Sequence, residues 1–355
     1  MTDDAYWNSL PLRRFRPRST LQVLQHDVPR AYTPAIDAHY HLGKWHKGVW
    51  AVPDVGKFVA MLDERNIATV VNLDGMWGGE LEENLDRYDR GWPGRFVTFC
   101  RPDWSLCAAG GDWSERLADG VRDSIGRGAR GVKIAKELGL RVPDETGAII
   151  LPDDPRLDPL WRAAADLHVP VLIHTADPVA FFEPMDEHNE RLEEMLDHPD
   201  WRFSDAQFPR MPALLASLRN TVAKHRQTTF IGAHVGCYSE NLAWVADMLR
   251  QCPNFHVDIG ARIDELGRQP RTTRRLFLNF PDRILFATDT SPDYPVYFRC
   301  LETDDDFFPY PTEESESGRW HIYGLDLPRD VLYRVYYDNA RKLIGGLPAQ
   351  PGPAA

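Results

Sequence analysis

Cysteine is scarce in this chain of 355 residues, and its spacing is irregular. No two cysteines form a CxxC motif, and the five positions are Cys100, Cys107, Cys237, Cys252 and Cys300. An odd count without tight spacing argues against a structural thiolate zinc site and indicates reduced thiols. We therefore expect a cytoplasmic protein.

Long apolar runs and an excess of positive charge are also missing. No stretch approaches the roughly 20 apolar residues that span a bilayer, and the first residues are acidic, unlike a signal peptide. Lys and Arg number 41 against 53 Asp and Glu, so the net charge is −12. We expect neither nucleic acid nor a membrane surface as partner, because both are anionic. A local cluster of basic residues in a cleft could still bind an anionic substrate.

The chain does contain a repeated alternation of short apolar strands and longer amphipathic segments. The predicted strands are Ile36–His39, Thr69–Leu73, Phe96–Cys100, Gly131–Ile134, Val169–His174, Thr229–Ala233, His256–Ile259 and Ile284–Ala287. Strands that alternate with helices pair in parallel, either as a doubly wound sheet or as a closed barrel. Eight strand–helix units, with candidate catalytic residues at the carboxyl ends of the strands, favour an α/β fold of the (β/α)8 TIM-barrel type.

The barrel is expected over residues 35–346, with an N-terminal extension, 1–34, that wraps it and a flexible tail, 347–355. Two segments are too long for ordinary connections: Asp177–Arg210 after strand five and Ser291–Pro328 after strand eight. Long loops rich in proline and aromatic residues are typical of lids or pocket walls above a barrel. Surface excursions or a dimer contact are the alternative. A final helix, Arg329–Ile344, is expected to close the barrel.

Metal-binding residue types follow several of the apolar runs. His39 and His41 end the first strand, and side chains two residues apart on a strand point to the same side, so both imidazoles can reach one metal ion. His174 and Asp289 follow strands five and eight. Three imidazoles and one carboxylate suit a catalytic zinc-type site with a position open for water. We expect these four residues to bind a divalent metal ion, with Zn²⁺ the expected metal.

His234 and Lys133 end two further strands. His234 could be a second metal ligand, a general base or an electrophile that polarises the substrate. Asp289 could also accept the proton of a metal-activated water. Burying the ammonium of a lysine on the inner rim of a barrel costs free energy unless the charge is paired. Lys133 could be carbamylated and bridge two metals, could stay cationic and bind a substrate carboxylate, or could pack its stem with the ammonium in solvent.

Other residues near strand ends are candidates for substrate binding. Lys136 and Arg262 could recognise an anion, and Trp45 could contact a flat or aromatic substrate. Simple surface charge and ordinary loop packing are the alternatives. Asp37, before the two histidines, is expected to orient a ligand imidazole or a neighbouring backbone group.

The order HxH, Lys, His, His, Asp on successive strands resembles the amidohydrolase superfamily, and most of all its amidohydrolase-related branch. That branch contains aminocarboxymuconate-semialdehyde decarboxylase, resorcylate-type decarboxylases and dicarboxylate lactonases. The phrases that carry the resemblance are Ile36–His41, Ile173–Thr175, Ile231–His234 and Leu285–Thr290. It implies one divalent metal bound by His39, His41, His174 and Asp289, with His234 as the catalytic histidine. A strand-four lysine departs from the decarboxylases and is typical of two-metal hydrolases of the superfamily.

Three functions compete at this point. The leading one is a metal-dependent hydrolase, in which metal-activated water attacks a C–N, ester or lactone carbonyl of a small substrate. The second is a metal-dependent, non-oxidative decarboxylase of a small carboxylic acid. The third is a non-catalytic binding protein on a degenerate barrel. It is disfavoured because all the expected metal-binding residues are present in the sequence. A homodimer is expected only by analogy with other barrels.

Overall fold

The computed structural model describes residues 3–11, 14–15, 18–44, 48–290, 293–310 and 320–348. Eight parallel strands form the centre of the protein. They are β1 (Ala35–Tyr40), β2 (Ile67–Asn72), β3 (Phe96–Thr98), β4 (Val132–Ile134), β5 (Val171–Ile173), β6 (Phe230–Gly232), β7 (Phe255–Asp258) and β8 (Ile284–Leu285).

The strands are arranged in chain order around the barrel. One parallel sheet has the order β1-β2-β3 and the other β4-β5-β6-β7-β8. Single parallel bridges connect them at both seams, between Cys100 and Val132 and between Tyr40 and Asp289. The ladder is thus interrupted at two seams, and backbone hydrogen bonds such as Asp289 N–H to the His39 carbonyl, 2.8 Å, cross one of them. The predicted (β/α)8 fold is confirmed.

A helix follows each strand and returns the chain to the next one. These helices are α1 (Val55–Glu64), α2 (Gly78–Asn84, continued by a π-helical turn Leu85–Arg90), α3 (Trp113–Arg127), α4 (Asp158–Asp166), α5 (Met211–Lys224), α6 (Leu242–Gln251), α7 (Pro270–Asn279) and α8 (Arg329–Tyr333, π-helical Arg334–Asp338 and Asn339–Leu343). Shorter helices cover Asp3–Asn8, Ser105–Ala108, Glu137–Leu140, Leu192–Asp197, Ile263–Arg268 and Tyr294–Glu302. The predicted alternation of strands and helices is thus observed, and α8 covers most of the predicted final helix, Arg329–Ile344.

The buried apolar side chains fix the barrel and its final helix. One cluster joins residues of six strands, among them Val71, Leu172 and Ile231, to Tyr337 and Ala340 of α8. A larger cluster lies between the strands and the surrounding helices. Burial of these side chains is the main favourable contribution to folding. The last helix therefore packs against the same core as the strands.

Both long loops contain regular structure within their described residues. The loop after β5 has its own buried apolar cluster, which includes Phe181, Met195 and Phe203. The loop after β8 contains an antiparallel pair, β9 (Phe308–Pro309) and β10 (His321–Ile322). Described residues of both loops are buried, such as Phe203 and Phe308, and the role of the loops as lids or pocket walls stays a prediction.

The N-terminal segment lies partly against the loop after β8. The backbone N–H of His26 donates to Asp305 Oδ2 at 2.8 Å, and that of Tyr32 to Glu302 Oε1 at 3.0 Å. The division at residue 34 stays a prediction, and most of the predicted flexible tail, 349–355, lies outside the described residues. None of the helices in the described ranges has the length and apolar character needed to cross a membrane.

Candidate active site

His39, the first histidine of the HxH pair, is fully buried and held by a carboxylate. Its Nδ1 lies 2.9 Å from Asp258 Oδ2, at the end of β7. The other oxygen, Asp258 Oδ1, accepts the backbone N–H groups of His234 at 3.0 Å and Gly260 at 2.9 Å. A carboxylate on Nδ1 fixes the ring orientation and leaves Nε2 to act as a ligand.

His41 has the same kind of support from a different strand. Its Nδ1 lies 2.6 Å from Asp74 Oδ1, just after β2, and the same oxygen accepts from Arg101 Nη2 at 2.9 Å. Burial alone would lower the pKa of His41, but the attraction of Asp74 and Asp289 outweighs it and the net pKa is raised. Burial also opposes ionisation of Asp74, yet His41 and Arg101 hold its pKa below the usual value.

The free nitrogens of both histidines converge on one carboxylate. Asp289 Oδ1 lies 3.1 Å from His39 Nε2 and 3.3 Å from His41 Nε2. The donor atoms of these three residues all lie within 4.8 Å of one another. Burial opposes ionisation of Asp289, but His39 and His41 outweigh it and hold the pKa of Asp289 well below its usual value. The first and last strands therefore bring together three of the four predicted ligands.

His174, the fourth predicted ligand, lies beside this group. Its ring centroid is 4.4 Å from that of His234, and its Nε2 is 3.1 Å from Asp177 Oδ1. Asp177 Oδ2 in turn pairs with Lys136 Nζ at 2.7 Å. Burial lowers the pKa of His174 to about 4, so the ring is neutral and able to bind a metal at neutral pH. Among the described residues, the groups of metal donor atoms within 4.8 Å of one another do not include His174.

His234 follows β6 on a strained turn. Four consecutive residues, 234–237, have φ between 56° and 68°, the left-handed region that a β-branched residue such as Val235 rarely adopts. The His234 Nδ1 lies 2.7 Å from the Gly260 carbonyl, so the neutral ring donates there and leaves Nε2 as an acceptor. Burial lowers the pKa of His234 well below its usual value. The ring lies 4.8 Å, centroid to centroid, from that of His39.

Lys133 is buried against the metal-ligand candidates. Only 1% of the residue is exposed, and its Nζ lies 3.2 Å from His39 Nε2. Within the described ranges it forms no ion pair, and burial, with Arg101 nearby, lowers the pKa of Lys133 to about 8. The ammonium thus faces the active-site pocket rather than the outer surface. Carbamylation and direct binding of an anion both stay predictions.

Asp37 supports the backbone around the site, as expected from its position. Its carboxylate accepts from the backbone N–H groups of His39, 3.2 Å, and Thr288, 3.1 Å, and from the hydroxyls of Thr288 and Tyr294. These bonds connect the start of the HxH pair to the segment before Asp289. Asp37 thus orients backbone, and it contacts no ligand imidazole ring.

The histidines and carboxylates open onto a pocket of about 380 Å³, a volume suited to a small molecule. Five cationic residues line it: Arg101, Lys133, Lys136, Arg191 and Arg262. Arg101, Lys136 and Arg191 are ion-paired, whereas Arg262 forms no ion pair with any described residue. Phe181 and Trp201 add apolar walls. Trp45, predicted to contact the substrate, lies outside the described residues.

Sequence reasoning missed the carboxylates that hold the histidines. Asp74 and Asp258 follow or end apolar strands, so the rule that found His174 and Asp289 would have found them too. Asp177 lies three residues after His174 and had no signal beyond that proximity. Arg101, a basic residue of the pocket that was also missed, follows β3 in the same way.

The residues present fit a divalent metal ion. The Nε2 atoms of His39 and His41 both point at one oxygen of Asp289. Carboxylates hold the Nδ1 atoms of the two rings, so that Nε2 can act as the ligand atom. A set of imidazole nitrogens and one carboxylate suits Zn²⁺ and other first-row divalent ions alike. His39, His41 and Asp289 would hold the ion, with His174 and His234 next to it.

Comparison with solved structures agrees with the (β/α)8 fold. Among solved structures, the fold is similar to a TIM-barrel protein of uncharacterized role from Bordetella bronchiseptica, with a TM-score of 0.55, 14% identity, and coverage of 87% of this chain and 97% of that one. It is similar to 2,6-dihydroxybenzoate decarboxylase from Rhizobium, with a TM-score of 0.53, 17% identity, and coverage of 88% and 98%. A dihydroxybenzoic acid decarboxylase from Polaromonas, solved with bound manganese, gives a TM-score of 0.53, 16% identity, and coverage of 88% and 97%.

Identities this low show a shared fold alone. No curated protein matches the sequence. The amidohydrolase family model, however, matches residues 36–346, which is most of the chain. The predicted superfamily is therefore confirmed: the chain belongs to the amidohydrolase family of metal-dependent enzymes.

Proposed function

We propose that the protein is a metal-dependent hydrolase that cleaves a C–N, ester or lactone bond in a small anionic substrate. The observation that carries the proposal is the convergence of His39 Nε2 and His41 Nε2 on Asp289 Oδ1, with His41 and Asp289 lining the 380 Å³ pocket. A divalent metal bound there lowers the pKa of water and polarises a carbonyl group.

His234 is the proton acceptor in this proposal. Its Nδ1 donates to the Gly260 carbonyl, so the unprotonated Nε2 is the atom left to receive a proton from water, and only after that could it donate to an oxygen of the substrate. The low pKa of His234, which burial causes, keeps the ring neutral before the reaction. Asp258, which receives the backbone N–H of His234, holds the ring close to His39.

Arg262 is the proposed anion-binding residue. Arg262 is 8% exposed, lines the pocket and has no ion-pair partner among the described residues. A buried guanidinium that no carboxylate contacts directly favours an anionic ligand, because a charged hydrogen bond would compensate its lost hydration. Lys136 is a weaker candidate, since Asp177 already neutralises it at 2.7 Å. A carboxylated substrate is therefore proposed.

Decarboxylation is the second candidate function. The same pocket could hold a carboxylate beside the metal ligands, and its basic lining suits a carboxylic acid. The fold is shared with two dihydroxybenzoate decarboxylases. We place it second because buried Lys133 lies against His39, a feature that resembles the hydrolases of the superfamily rather than its decarboxylases.

One assay separates the two reactions. The zinc- or manganese-loaded enzyme is incubated, in heavy-oxygen water, with carboxylated lactones, esters and N-acyl amino acids and with hydroxybenzoates. Hydrolysis places solvent oxygen in the organic product, as the proposal predicts. Carbon dioxide release with no solvent oxygen in the organic product would instead establish the decarboxylase. Turnover that persists after chelation would contradict both.

A further inference from the structure

Two buried arginines of the pocket wall differ sharply in their partners. Arg191, in the loop after β5, pairs with Glu194 Oε2 at 2.9 Å and with both Asp264 and Glu265. Arg262, after β7, donates to its neighbour's carbonyl at Ala261, 2.5 Å, and forms no ion pair within the described ranges. One guanidinium thus contacts three carboxylates directly, while the other has no carboxylate within ion-pair distance among the described residues, although Glu265 attracts it from farther away.

These ion pairs are not the ones that the spacing of the residues along the chain would suggest. Asp264 and Glu265 lie two and three residues after Arg262, at the start of the helix Ile263–Arg268. Arg262 directly precedes this helix, and both acids attract its guanidinium, yet their ion pairs are with Arg191. The acids nearest to Arg262 along the chain are therefore bound by an arginine from a different loop.

We propose that Arg191 is a positioning residue that keeps Arg262 available to the substrate. By pairing with Asp264 and Glu265, it prevents Arg262 from folding back onto its own helix and leaves that guanidinium at the pocket surface. The inference rests on the proposed function, in which Arg262 binds the substrate anion. It assigns the buried ion cluster to substrate specificity rather than to stability.

The energetics of the cluster support a functional role. Buried ion pairs seldom stabilise a protein more than apolar side chains of the same size would, because charges lose hydration on burial. Asp264 and Glu265 also lie against each other, and burial together with the charge of Glu265 raises the pKa of Asp264 well above its usual value. If Arg191 were removed, both Arg262 and Arg268 would be attracted by these acids, but Arg268 already pairs with Glu190 at 3.0 Å, so Arg262 would be the cation left to pair with them.

The loop that carries Arg191 has further attachments. The adjacent Glu190 pairs with Arg268 at 3.0 Å, and the backbone N–H of Val179 donates to Glu240 at 2.8 Å. Loss of Arg191 alone therefore leaves the loop attached to the same helix. An effect of Arg191 on Arg262 can thus be separated from release of the loop.

Crystal structures of three metal-loaded proteins test the proposal: wild type, Arg191→Met, and Arg191→Met/Asp264→Asn/Glu265→Gln. We expect Arg262 to pair with Asp264 or Glu265 in the single variant and to return to the pocket in the triple variant. If Arg262 keeps its wild-type position in Arg191→Met, the proposal is wrong. Should that variant not fold, Arg191→Lys replaces it, because a single ammonium lacks the guanidinium fork and leaves one acid for Arg262.

Calorimetric titration with benzoate, a simple carboxylate probe, tests the consequence for binding. We expect the dissociation constant to rise at least about tenfold in Arg191→Met, the usual effect of losing one charged hydrogen bond, and to recover in the triple variant. A triple variant as weak as Arg191→Met would overturn the positioning role. Equal affinity of wild type and Arg262→Ala, or no binding to wild type, would instead contradict the anion site of the proposed function.

Discussion

The Oδ2 atom of Asp258 lies 2.9 Å from Nδ1 of His39, and both side chains are completely buried. The second oxygen of Asp258 accepts the backbone N–H of His234. One carboxylate at the end of β7 therefore orients a ligand candidate on β1 and the catalytic candidate after β6. Burial opposes its ionisation, but the contact with His39 holds the pKa of Asp258 below the usual value.

Replacing this carboxylate should weaken metal binding without removing a ligand. In Asp258→Asn we expect metal affinity to fall by about 10- to 100-fold, because the His39 ring loses its charged hydrogen-bond partner. Competition with a chromogenic chelator measures the affinity. Asp166→Asn, an exposed aspartate at the end of α4, is the matched control. Equal losses in the two variants would show that Asp258 has no specific role.

Removal of a proposed ligand should have a larger effect. In His39→Ala we expect bound metal to be lost and turnover to fall by at least roughly a thousandfold, since metal-ion catalysis supplies several kcal/mol. Elemental analysis and the hydrolysis assay measure the two quantities, and circular dichroism checks the fold. His188→Ala, an exposed histidine, should retain both metal and activity. A His39→Ala enzyme with full activity would refute the site.

Lys133 gives the unfolding free energy a defined pH dependence in chelator-treated protein. Burial lowers the pKa of Lys133 from 10.5 to about 8, so the folded state binds fewer protons than the unfolded state between these values. The cost of the buried charge is fully present below pH 8 and is relieved as the pH rises towards 10.5.

Wild type should therefore gain roughly 3 kcal/mol relative to Lys133→Met over that interval. Urea denaturation at a series of pH values measures the difference. Lys57→Met, at a solvent-exposed lysine, should show no such trend. Parallel curves for wild type and Lys133→Met would mean that the ammonium is not desolvated.

Gly232 at the end of β6 allows the strained turn that carries His234. An added Cβ would lie 2.5 Å from Phe255 Cζ and 2.9 Å from Gly236 Cα, closer than packed atoms allow. We expect Gly232→Ala to lose about 1–3 kcal/mol of stability and to lower turnover by displacing His234.

Gly120→Ala is the control for this change. Gly120 lies in the middle of α3 with nothing within 4 Å of the added Cβ, so alanine should raise stability by about 0.5–1 kcal/mol. Thermal and urea denaturation measure both variants. A harmless Gly232→Ala would show that the backbone around His234 tolerates displacement.

The barrel and much of its site could be predicted because both depend on local patterns. Apolar runs with a metal-binding residue at their end marked β1, β5, β6 and β8, and the parallel order of strands then fixed which ends meet. His39, His41 and Asp289 come together for that reason.

Contacts between side chains of distant loops gave no such signal. The ion pairs of Arg191 with Asp264 and Glu265 join residues more than 70 positions apart, and nothing in the sequence around Arg191 distinguishes it from a surface arginine. Similarly, the pairing of Lys136 with Asp177 depends on how the loop after β5 folds back over the barrel. Ion pairs could not be predicted where the packing of loops, and not the order of the strands, determines which side chains meet.

Anomalous diffraction from crystals of the metal-loaded protein tests the central claim most directly. Data collected on both sides of the zinc or manganese absorption edge identify the ion and give its position and number per chain. The account predicts an ion bound by His39 Nε2, His41 Nε2 and an oxygen of Asp289, beside His174 and His234. Metal-loaded crystals with no anomalous peak at that point, or with the peak at other residues, would contradict it.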